Sequence, residues 1–442
     1  MLLAEDHRMA GLVTFHGRLY SIKPHIRSMF KPKFFIYSFL NPACKTRTIY
    51  LIRSMDKNIL RLELAVCALV TAAFTNIYIT QPILPVLETE FQVTTVHVSF
   101  TVSFVILGIV ISNLFFGYLS DRIAIHPILL AGGCMVAAGG VVCSLTHDVN
   151  VLIGARFVQG LFIPALTTSL AAWLAKNLPQ EKLSVVMGTY VAATVLGGLG
   201  GRLLGGWIHP PLHWRYAFWS AAVLIVVTTL VAVAVLPQSN NESKQESDRA
   251  GAASSDMGFV RLLTRPDLFP IYLCGAAGLL MFSPIFNYLP YRLSGAPFGF
   301  STQMITLVYL VYILGIFLGP VSGKISQRFG GGNTMILGCA VLAISLGLLL
   351  VPAVWAVIAG LLSLCAGFFT IHATAVGLLN RKLSHSQGRA NALYVLFYYA
   401  GGWIGITLAG FCLEAWGWPG VVIGVAAFLF VPLITGLRER RR

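Results

Sequence analysis

The chain has 442 residues, of which 57% are hydrophobic and only 11% are charged, and its formal net charge is +15. Soluble domains carry about 25% charged residues, so this composition excludes an ordinary soluble enzyme and indicates that lipid surrounds most of the chain. In a membrane protein a basic excess marks cytoplasmic loops. No nucleic acid is therefore expected as a partner.

The first 59 residues form a basic N-terminal extension. Residues 1–54 contain nine Lys and Arg and two acids, and their apolar runs are too short to span a bilayer. We expect either that this extension is disordered or that translation starts at Met55. A basic organellar transit peptide is a third interpretation.

Twelve apolar runs are long enough to cross a bilayer as helices, and we number them spans 1 to 12. Spans 1–6 cover residues 64–87, 96–119, 127–146, 150–174, 184–208 and 215–236. Spans 7–12 cover residues 268–290, 302–325, 333–352, 354–378, 390–413 and 417–437. The polar residues 237–258 between the two sets are rich in Ser, Asn and Gly, which predicts a mobile linker.

The predicted fold is therefore that of an all-α membrane protein with six spans in each of two halves. The N-terminal half covers residues 60–236 and the linker 237–264. The C-terminal half, with a basic tail, covers residues 265–442.

Basic residues in the loops define one face of the predicted bundle, which we call the basic face. They are Arg122, Lys176, Lys182, Arg261, Arg265, Lys324, Arg328, Arg381, Lys382, Arg389 and the arginines of the tail. The loops of the opposite face hold only Arg215 and Arg292. Because Lys and Arg collect in cytoplasmic loops, we expect the basic face and both termini in the cytoplasm.

The two halves repeat each other in sequence. "GYLSDRIA" begins at Gly117 after span 2, and "GKISQRFG" begins at Gly323 after span 8, an offset of 206 residues (323 minus 117). "TYVAATVLGGLGG" in span 5 and "LYVLFYYAGGWIG" in span 11 are offset by 204 residues, from Thr189 to Leu393 (393 minus 189). Two matching segments at nearly one spacing predict a parallel duplication of six spans.

The loop after span 2 carries a glycine and a charged pair, Gly117, Asp121 and Arg122. Glycine suits a short turn, and an acid against a helix N-terminus can act as a latch that depends on conformation. The second copy keeps Gly323 and Arg328 but has Gln327 in place of the acid. Only the first copy can therefore supply a charged latch; an ordinary solvated loop is the alternative.

Span 4 contains Arg156, Gln159 and Gly160. An arginine within a bilayer is costly and normally faces the bundle interior or a water-filled cavity. Snorkelling to the interface is the alternative. Span 5 contains Gly197 and Gly198, where close helix approach predicts either a sliding surface or simple tight packing.

These motifs resemble the major facilitator superfamily, and more narrowly its twelve-helix drug:proton antiporter branch and the arabinose-efflux-like permeases. The resemblance covers residues 60–437. Gly117, Asp121 and Arg122 match the family's loop motif, although Ala124, Ile125 and His126 replace its later glycine and basic pair. In span 5 the family's Gly-Pro pair is replaced by Ala193 and Thr194, which weakens the match to antiporters.

The resemblance implies a monomeric secondary transporter in the bacterial inner membrane that works by alternating access, with Arg156 in proton coupling. Its expected partners are a small organic solute, protons and membrane lipid, with no metal and no cofactor. Asp121 and His372 are candidates for the proton carrier. Export follows from the resemblance alone, so import or facilitated diffusion of a metabolite stays open, as does a sensor with a transporter fold; an enzyme is not expected.

The solute site is expected between the halves near the middle of the bilayer. Polar and aromatic residues within the spans are the candidates to line it. They are Tyr78, Gln81, Arg202, Asn287, Tyr288, His372, Tyr394, Tyr398 and Tyr399. Packing inside the protein is the alternative for each of them.

Acidic residues are missing from the middle of every predicted span. Exporters of cationic compounds commonly pair their solute with a buried carboxylate. We therefore expect a neutral or anionic solute, met by Arg156 or Arg202 and by aromatic groups.

Overall fold

The computed structural model describes residues 12–15, 18–21, 42–237, 258–383 and 385–441. Two short strands, β1 (Leu12–Phe15) and β2 (Arg18–Ser21), pair antiparallel with Leu12 opposite Ser21. The chain divides into two compact units, Met1–Arg61 and Leu62–Arg442. Most of the N-terminal extension lies outside the described residues, and so does the linker from 238 to 257, so both predictions stay predictions.

All other elements are helical. The helices up to the linker are α1 (Pro42–Tyr78), α2 (Leu84–Phe91), α3 (Thr95–Leu119), α4 (Ile125–Leu145), α5 (Val149–Leu166), α6 (Thr168–Asn177), α7 (Gln180–Ile208) and α8 (Arg215–Val235). Those after it are α9 (Phe259–Thr264), α10 (Phe269–Ser294), α11 (Thr302–Val308), α12 (Leu314–Phe329), α13 (Gly331–Leu350), α14 (Val354–Arg381), α15 (Gln387–Ala426) and α16 (Phe430–Arg440).

Eleven segments of the described chain are long and apolar enough to cross a membrane. The last, Gln387–Arg440, contains both span 11 and span 12. Gly417 breaks α15 with φ +64° and ψ −160°, and a side chain at Gly424 would lie 3.2 Å from the Cys412 sulfur. The chain therefore reverses at Gly417, and the all-α fold with twelve predicted spans is confirmed.

Four spans predicted as continuous helices are broken, and one of them is span 12, which contains a 3-10 segment at Ala427–Leu429. Span 1 stops at Tyr78, makes one 3-10 turn over Gln81–Ile83 and restarts as α2. Pro82 and Pro85 lie at this break, where a missing N–H and a fixed ring favour a new helix start. Span 4 is interrupted at Thr167, just after Pro164, and span 8 contains a 3-10 segment at Tyr309–Ile313.

The sequence repeat is visible in the packing of matching helices. A side chain at Gly197 or Gly201 of α7 would overlap the carbonyl oxygens of Thr71 and Thr75 in α1. Gly401 and Gly405 of α15 lie in the same way on Ala276 and Leu280 of α10. The offset from Gly197 to Gly401, 401 minus 197, is the 204 residues of the sequence repeat. Both halves therefore use the same backbone-to-backbone crossing.

The glycine contacts correct the expectation of a sliding surface at Gly197. Gly197 packs on α1 of its own half, so it holds that half together. Gly198 instead faces Tyr78, Arg202 and Tyr312, and it is the member of the pair that borders the other half. Gly160 of α5 packs on the Val105 carbonyl of α3, which is another crossing within the N-terminal half.

Replacing Gly201 by Leu is expected to destabilise the protein, because the added side chain must push α7 away from α1. Overpacking of this kind costs about 1–3 kcal/mol. Thermal unfolding of the purified protein in detergent measures the effect. Gly188→Leu is the matched control on the same helix, since a side chain there meets nothing within 4 Å. Equal melting temperatures for the two variants would contradict the close crossing.

Candidate functional site

Arg202 of α7 is buried between the two halves, with only 2% of its surface exposed. Its Nε donates a hydrogen bond to Gln81 Oε1 at 2.8 Å, and its Nη1 donates to the Gly198 carbonyl at 2.7 Å. Gln81 is available because span 1 breaks there into a 3-10 turn. The break therefore supplies a polar partner for a cation that could not otherwise be buried.

Aromatic rings surround the Arg202 guanidinium. Its central carbon lies 4.3 Å from the ring centre of Tyr78 and 4.6 Å from that of Tyr312. Phe286 and Tyr309 lie at 5.4 and 5.5 Å. These distances allow cation–π attraction, which strengthens when the cation is desolvated. We call these five residues the Arg202 cage; Tyr78 and Arg202 come from the N-terminal half and the other three from the C-terminal half.

A neutral polar contact also joins the halves at the cage. Gln81 Nε2 donates to Asn287 Oδ1 at 3.3 Å, while the Gln81 oxygen accepts from Arg202. Within the described part of the chain, the ion pairs formed by acidic side chains all involve other cations than Arg202. The cage therefore holds a positive charge that the described carboxylates do not neutralise.

An aromatic wall continues from the cage into the C-terminal half. It comprises Phe282, Phe368, His372, Tyr394 and Tyr398. Phe368 stacks on Phe282 at 4.1 Å and on His372 at 5.8 Å, measured between ring centres. The Tyr394 hydroxyl lies 2.9 Å from His372 Nδ1, and the Tyr398 ring lies 5.0 Å from the imidazole. His372 and Tyr398 are only partly buried, so they border accessible space.

The wall and the cage form one site. Phe282 of the wall lies 4.9 Å from Phe286 and 5.8 Å from Tyr312 of the cage, measured between ring centres. Tyr399, beside Tyr398 on α15, lies 5.2 Å from the Tyr398 ring centre. Aromatic rings therefore run continuously from the cage into the wall.

Most of the sequence candidates meet at this site: Tyr78, Gln81, Arg202, Asn287, His372, Tyr394, Tyr398 and Tyr399. Tyr288 does not, because its hydroxyl donates to the Ile406 carbonyl at 2.7 Å and its ring is fully buried between α10 and α15. Five residues of the site were not predicted from the sequence: Phe282, Phe286, Tyr309, Tyr312 and Phe368. The two tyrosines three residues apart in span 8 were the signal that could have found Tyr309 and Tyr312.

Arg156 lies inside the N-terminal half and is fully buried, which rules out snorkelling. Its Nε donates to the Thr101 carbonyl at 2.9 Å, Nη1 to Gln159 Oε1 at 2.7 Å and Nη2 to the Ile77 carbonyl at 2.8 Å. Gln159 in turn donates to the Val136 carbonyl. The expectation that Arg156 meets the solute is not supported, because every guanidinium nitrogen binds a protein oxygen that joins α1, α3 and α5.

The loop motif differs from its prediction in two ways. Gly117 lies inside α3, which ends at Leu119, so it makes no turn. Asp121 pairs with Lys176, at the C-terminal end of α6, rather than with a helix N-terminus, and both side chains are exposed. Arg122 lies over the Tyr118 ring at 4.3 Å.

In the second copy of the motif, Gly323 lies inside α12 with open space around it, and Arg328 lies 5.5 Å from the Phe329 ring centre. Neither residue forms a turn or a latch.

A separate groove of about 660 Å³ lies on the C-terminal half, away from the cage. Leu280 of α10 and both arms of α15 line it, with Glu414 and Trp416 near the reversal at Gly417. Its walls are otherwise almost wholly apolar, and it contains no residue of the cage or the aromatic wall.

Replacing Arg156 by Met is expected to destabilise the N-terminal half, because the Ile77 and Thr101 carbonyls and Gln159 lose their donor inside the protein. Each buried polar group left unpaired costs about 1–3 kcal/mol. The loss is measured as a lower melting temperature in detergent. Arg261→Met, at an exposed position of α9, is the control and should change stability little. An equal melting temperature for both variants would show that Arg156 does not join the helices.

Curated relatives match the chain over most of its length. The inner membrane transport protein YnfM of Escherichia coli (strain K12) is 28% identical over 386 residues, which cover 87% of this chain and 91% of its own. The uncharacterized MFS-type transporter YybF of Bacillus subtilis (strain 168) is 27% identical over 364 residues, covering 81% and 88%. Both are described as transporters, and this chain spans nearly all of each.

A solved structure matches the fold. It is the crystal structure of a bacterial homologue of the human lysosomal transporter Spinster, in an inward-facing and occupied conformation. The TM-score is 0.70 with 12% sequence identity, and the match covers 86% of this chain and 96% of the other. The sequence profile of the Major Facilitator Superfamily matches residues 66–402. The chain is therefore a multi-pass membrane transporter that belongs to the Major Facilitator Superfamily.

Proposed function

We propose that this transporter exports a small organic solute, neutral or anionic, through the space between its halves, and that proton influx drives it. The observation that carries the proposal is the Arg202 cage, a buried cation among aromatic rings at the junction of the halves. Solute sites in this kind of transporter lie at the interface of the repeats near the membrane midplane. The cage combines residues of both halves, which supports a solute site at their junction.

The charge of the site favours an anion over a cation. A buried cation without a carboxylate partner is costly, and an anionic solute lowers that cost by pairing with it. A cationic solute would instead meet a like charge in a poorly hydrated space. Among the described residues, acidic side chains lie near the ends of the predicted spans or in loops, as at Glu63, Glu88, Glu90, Asp121 and Glu414. The aromatic wall supports a solute with an apolar body.

The contacts between the halves are suited to being broken and remade. Gln81 and Asn287 form a long hydrogen bond between neutral groups, which contributes only about 0.5–1.5 kcal/mol. Gly206 of α7 packs on Thr306 of α11 without a side chain of its own. In contrast, the glycine crossings inside each half join backbone to backbone. This difference supports rocking of residues 60–236 against residues 265–437.

His372 is the proposed proton carrier. Imidazole is the side chain whose ordinary pKa lies nearest neutral pH, and His372 borders the shared space beside Tyr394 and Tyr398. Asp121, the other candidate, is exposed and already paired with Lys176. The direction of export, and membership of the drug:proton antiporter branch, rest on the sequence resemblance. Import or facilitated diffusion of a metabolite is the alternative to be tested.

The proposed setting follows from the relatives and the basic face. YnfM is described as an inner membrane protein, and the excess of Lys and Arg on one side supports the same placement here, with both termini in the cytoplasm. We propose that the protein works as a monomer, since one chain supplies both halves of the cage.

Expression in a bacterial strain stripped of its efflux pumps tests the export proposal. We expect resistance to neutral or anionic toxic compounds, and Arg202→Gln is expected to lower it because loss of one charge pair weakens binding roughly tenfold or more. The measurement is the growth-inhibitory concentration across a broad compound panel. Arg261→Gln is the matched control, since it removes an exposed arginine far from the cage.

Two outcomes would change the proposal. Resistance confined to permanent organic cations, and unchanged in Arg202→Gln, would overturn the assignment of the solute's charge. No resistance to any compound, with the protein present in the membrane, would count against export of toxic solutes. Metabolite uptake into membrane vesicles would then test the importer alternative.

A further inference from the structure

We propose that Glu414 is a proton-sensitive latch that holds the two halves together at the opposite face. Glu414 lies in α15 of the C-terminal half, just before the reversal at Gly417. Its Oε1 accepts a hydrogen bond from the backbone N–H of Val96, in α3 of the N-terminal half, at 2.9 Å. This inference rests on the proposed rocking of the halves. It identifies the hydrogen bond between Glu414 and Val96 as a contact that must break when the halves separate at the opposite face.

The partner of Glu414 is a helix N-terminus. α3 begins at Thr95, so the Val96 N–H is one of the donors of the first turn that has no partner within the helix. Thr94 caps the helix by accepting from His97, and this leaves the Val96 N–H for Glu414. A carboxylate at this position is stabilised by the hydrogen bond and by the positive end of the helix dipole.

The helices approach closely enough to make the contact specific. A side chain at Gly410, one turn before Glu414, would meet Val96 Cγ2 at 3.2 Å and the Tyr288 hydroxyl. Since Gly410 has no side chain, α15 can pack directly on the first turn of α3. The carboxylate is therefore positioned by packing of the two halves, not by a flexible loop.

The surroundings of Glu414 are poor in positive charge. The Tyr288 hydroxyl of α10 lies against Gly410, one turn before Glu414, and His97 of α3 points to Asn150 instead. Glu88 of α2 accepts from Thr95 Oγ1 at 3.1 Å, so a second carboxylate shares the same helix end. Across the described ranges, no Lys, Arg or His forms an ion pair with Glu414. The helix N-terminus is thus the main stabiliser of its negative charge.

Protons can reach Glu414 without passing the cage. Its side chain is exposed, and it borders the groove that contains Trp416. Protonation removes the negative charge and weakens both the hydrogen bond and the interaction with the helix dipole. The contact is therefore strongest when the opposite face meets high pH and is lost as the pH falls.

Distance measurements by spin labelling in lipid nanodiscs test the latch without any solute. The labels replace Leu212 and Met304, exposed residues of the opposite face in the N- and C-terminal halves, in a background whose native cysteines are changed to serine or alanine. Lowering the pH from about 7 to about 3.5 spans the ordinary pKa of Glu, which is about 4.3. We expect the separated population of the wild type to rise severalfold over this range.

Glu414→Gln mimics the protonated state. In this variant we expect the two labelled halves to be separated at the opposite face at every pH, so that the label distance no longer responds to pH. Glu414→Asp, a shorter carboxylate, should restore the response in part. Glu88→Gln is the matched control, because it removes a carboxylate from the same helix end within one half, and its pH response should remain. Melting temperatures confirm that each variant is folded.

A pH response in Glu414→Gln equal to that of the wild type would overturn the latch, as would a wild type whose label distance does not change with pH. Because this experiment contains no solute, its failure leaves the proposed export untouched. Equally, a failed resistance screen would not affect the distance measurement.

Discussion

Two buried arginines in a lipid-embedded bundle set the main constraint on this fold. A guanidinium inside the protein needs acceptors for its donors. Both arginines find them where span 1 breaks: Arg156 binds the Ile77 carbonyl at the end of α1, and Arg202 binds Gln81 in the 3-10 turn that follows. An unbroken helix would keep the Ile77 carbonyl in its own ladder. The prolines at 82 and 85 are therefore part of the same arrangement as the two cations.

Contacts within each half differ in kind from contacts at the interface between the halves. Within each half, glycines bring helix backbones together, and such crossings contain no side chain that could adjust. Between the halves, the described contacts include the rings around Arg202, a neutral amide pair, a carboxylate on a helix end and glycines against side chains. Contacts between side chains can be broken and remade more readily than backbone crossings, which favours the proposed movement of one half against the other.

Much of the fold could be predicted from the sequence, because hydropathy, loop charge and the repeat are local or periodic signals. The polar candidates of the site could also be predicted, since Arg202 and His372 stand out in apolar spans. The helix breaks and Phe286 could not, because ordinary apolar patterning hides which face meets the other half. The latch was expected at Asp121, but an acid meets a helix N-terminus at Glu414 instead. That contact joins residues 318 positions apart, and only the tertiary structure brings them together.

The chain reverses direction at a single residue, Gly417, without a longer loop between the two helical segments. Its φ of +64° suits glycine, and the indole of Trp418 donates to the Leu349 carbonyl at the end of α13. The corner that carries Glu414 is thus fastened to the end of α13. The backbone beneath the carboxylate is held by the C-terminal half, so under the proposed latch the distance from Glu414 to Val96 follows the tilt of that half as a whole.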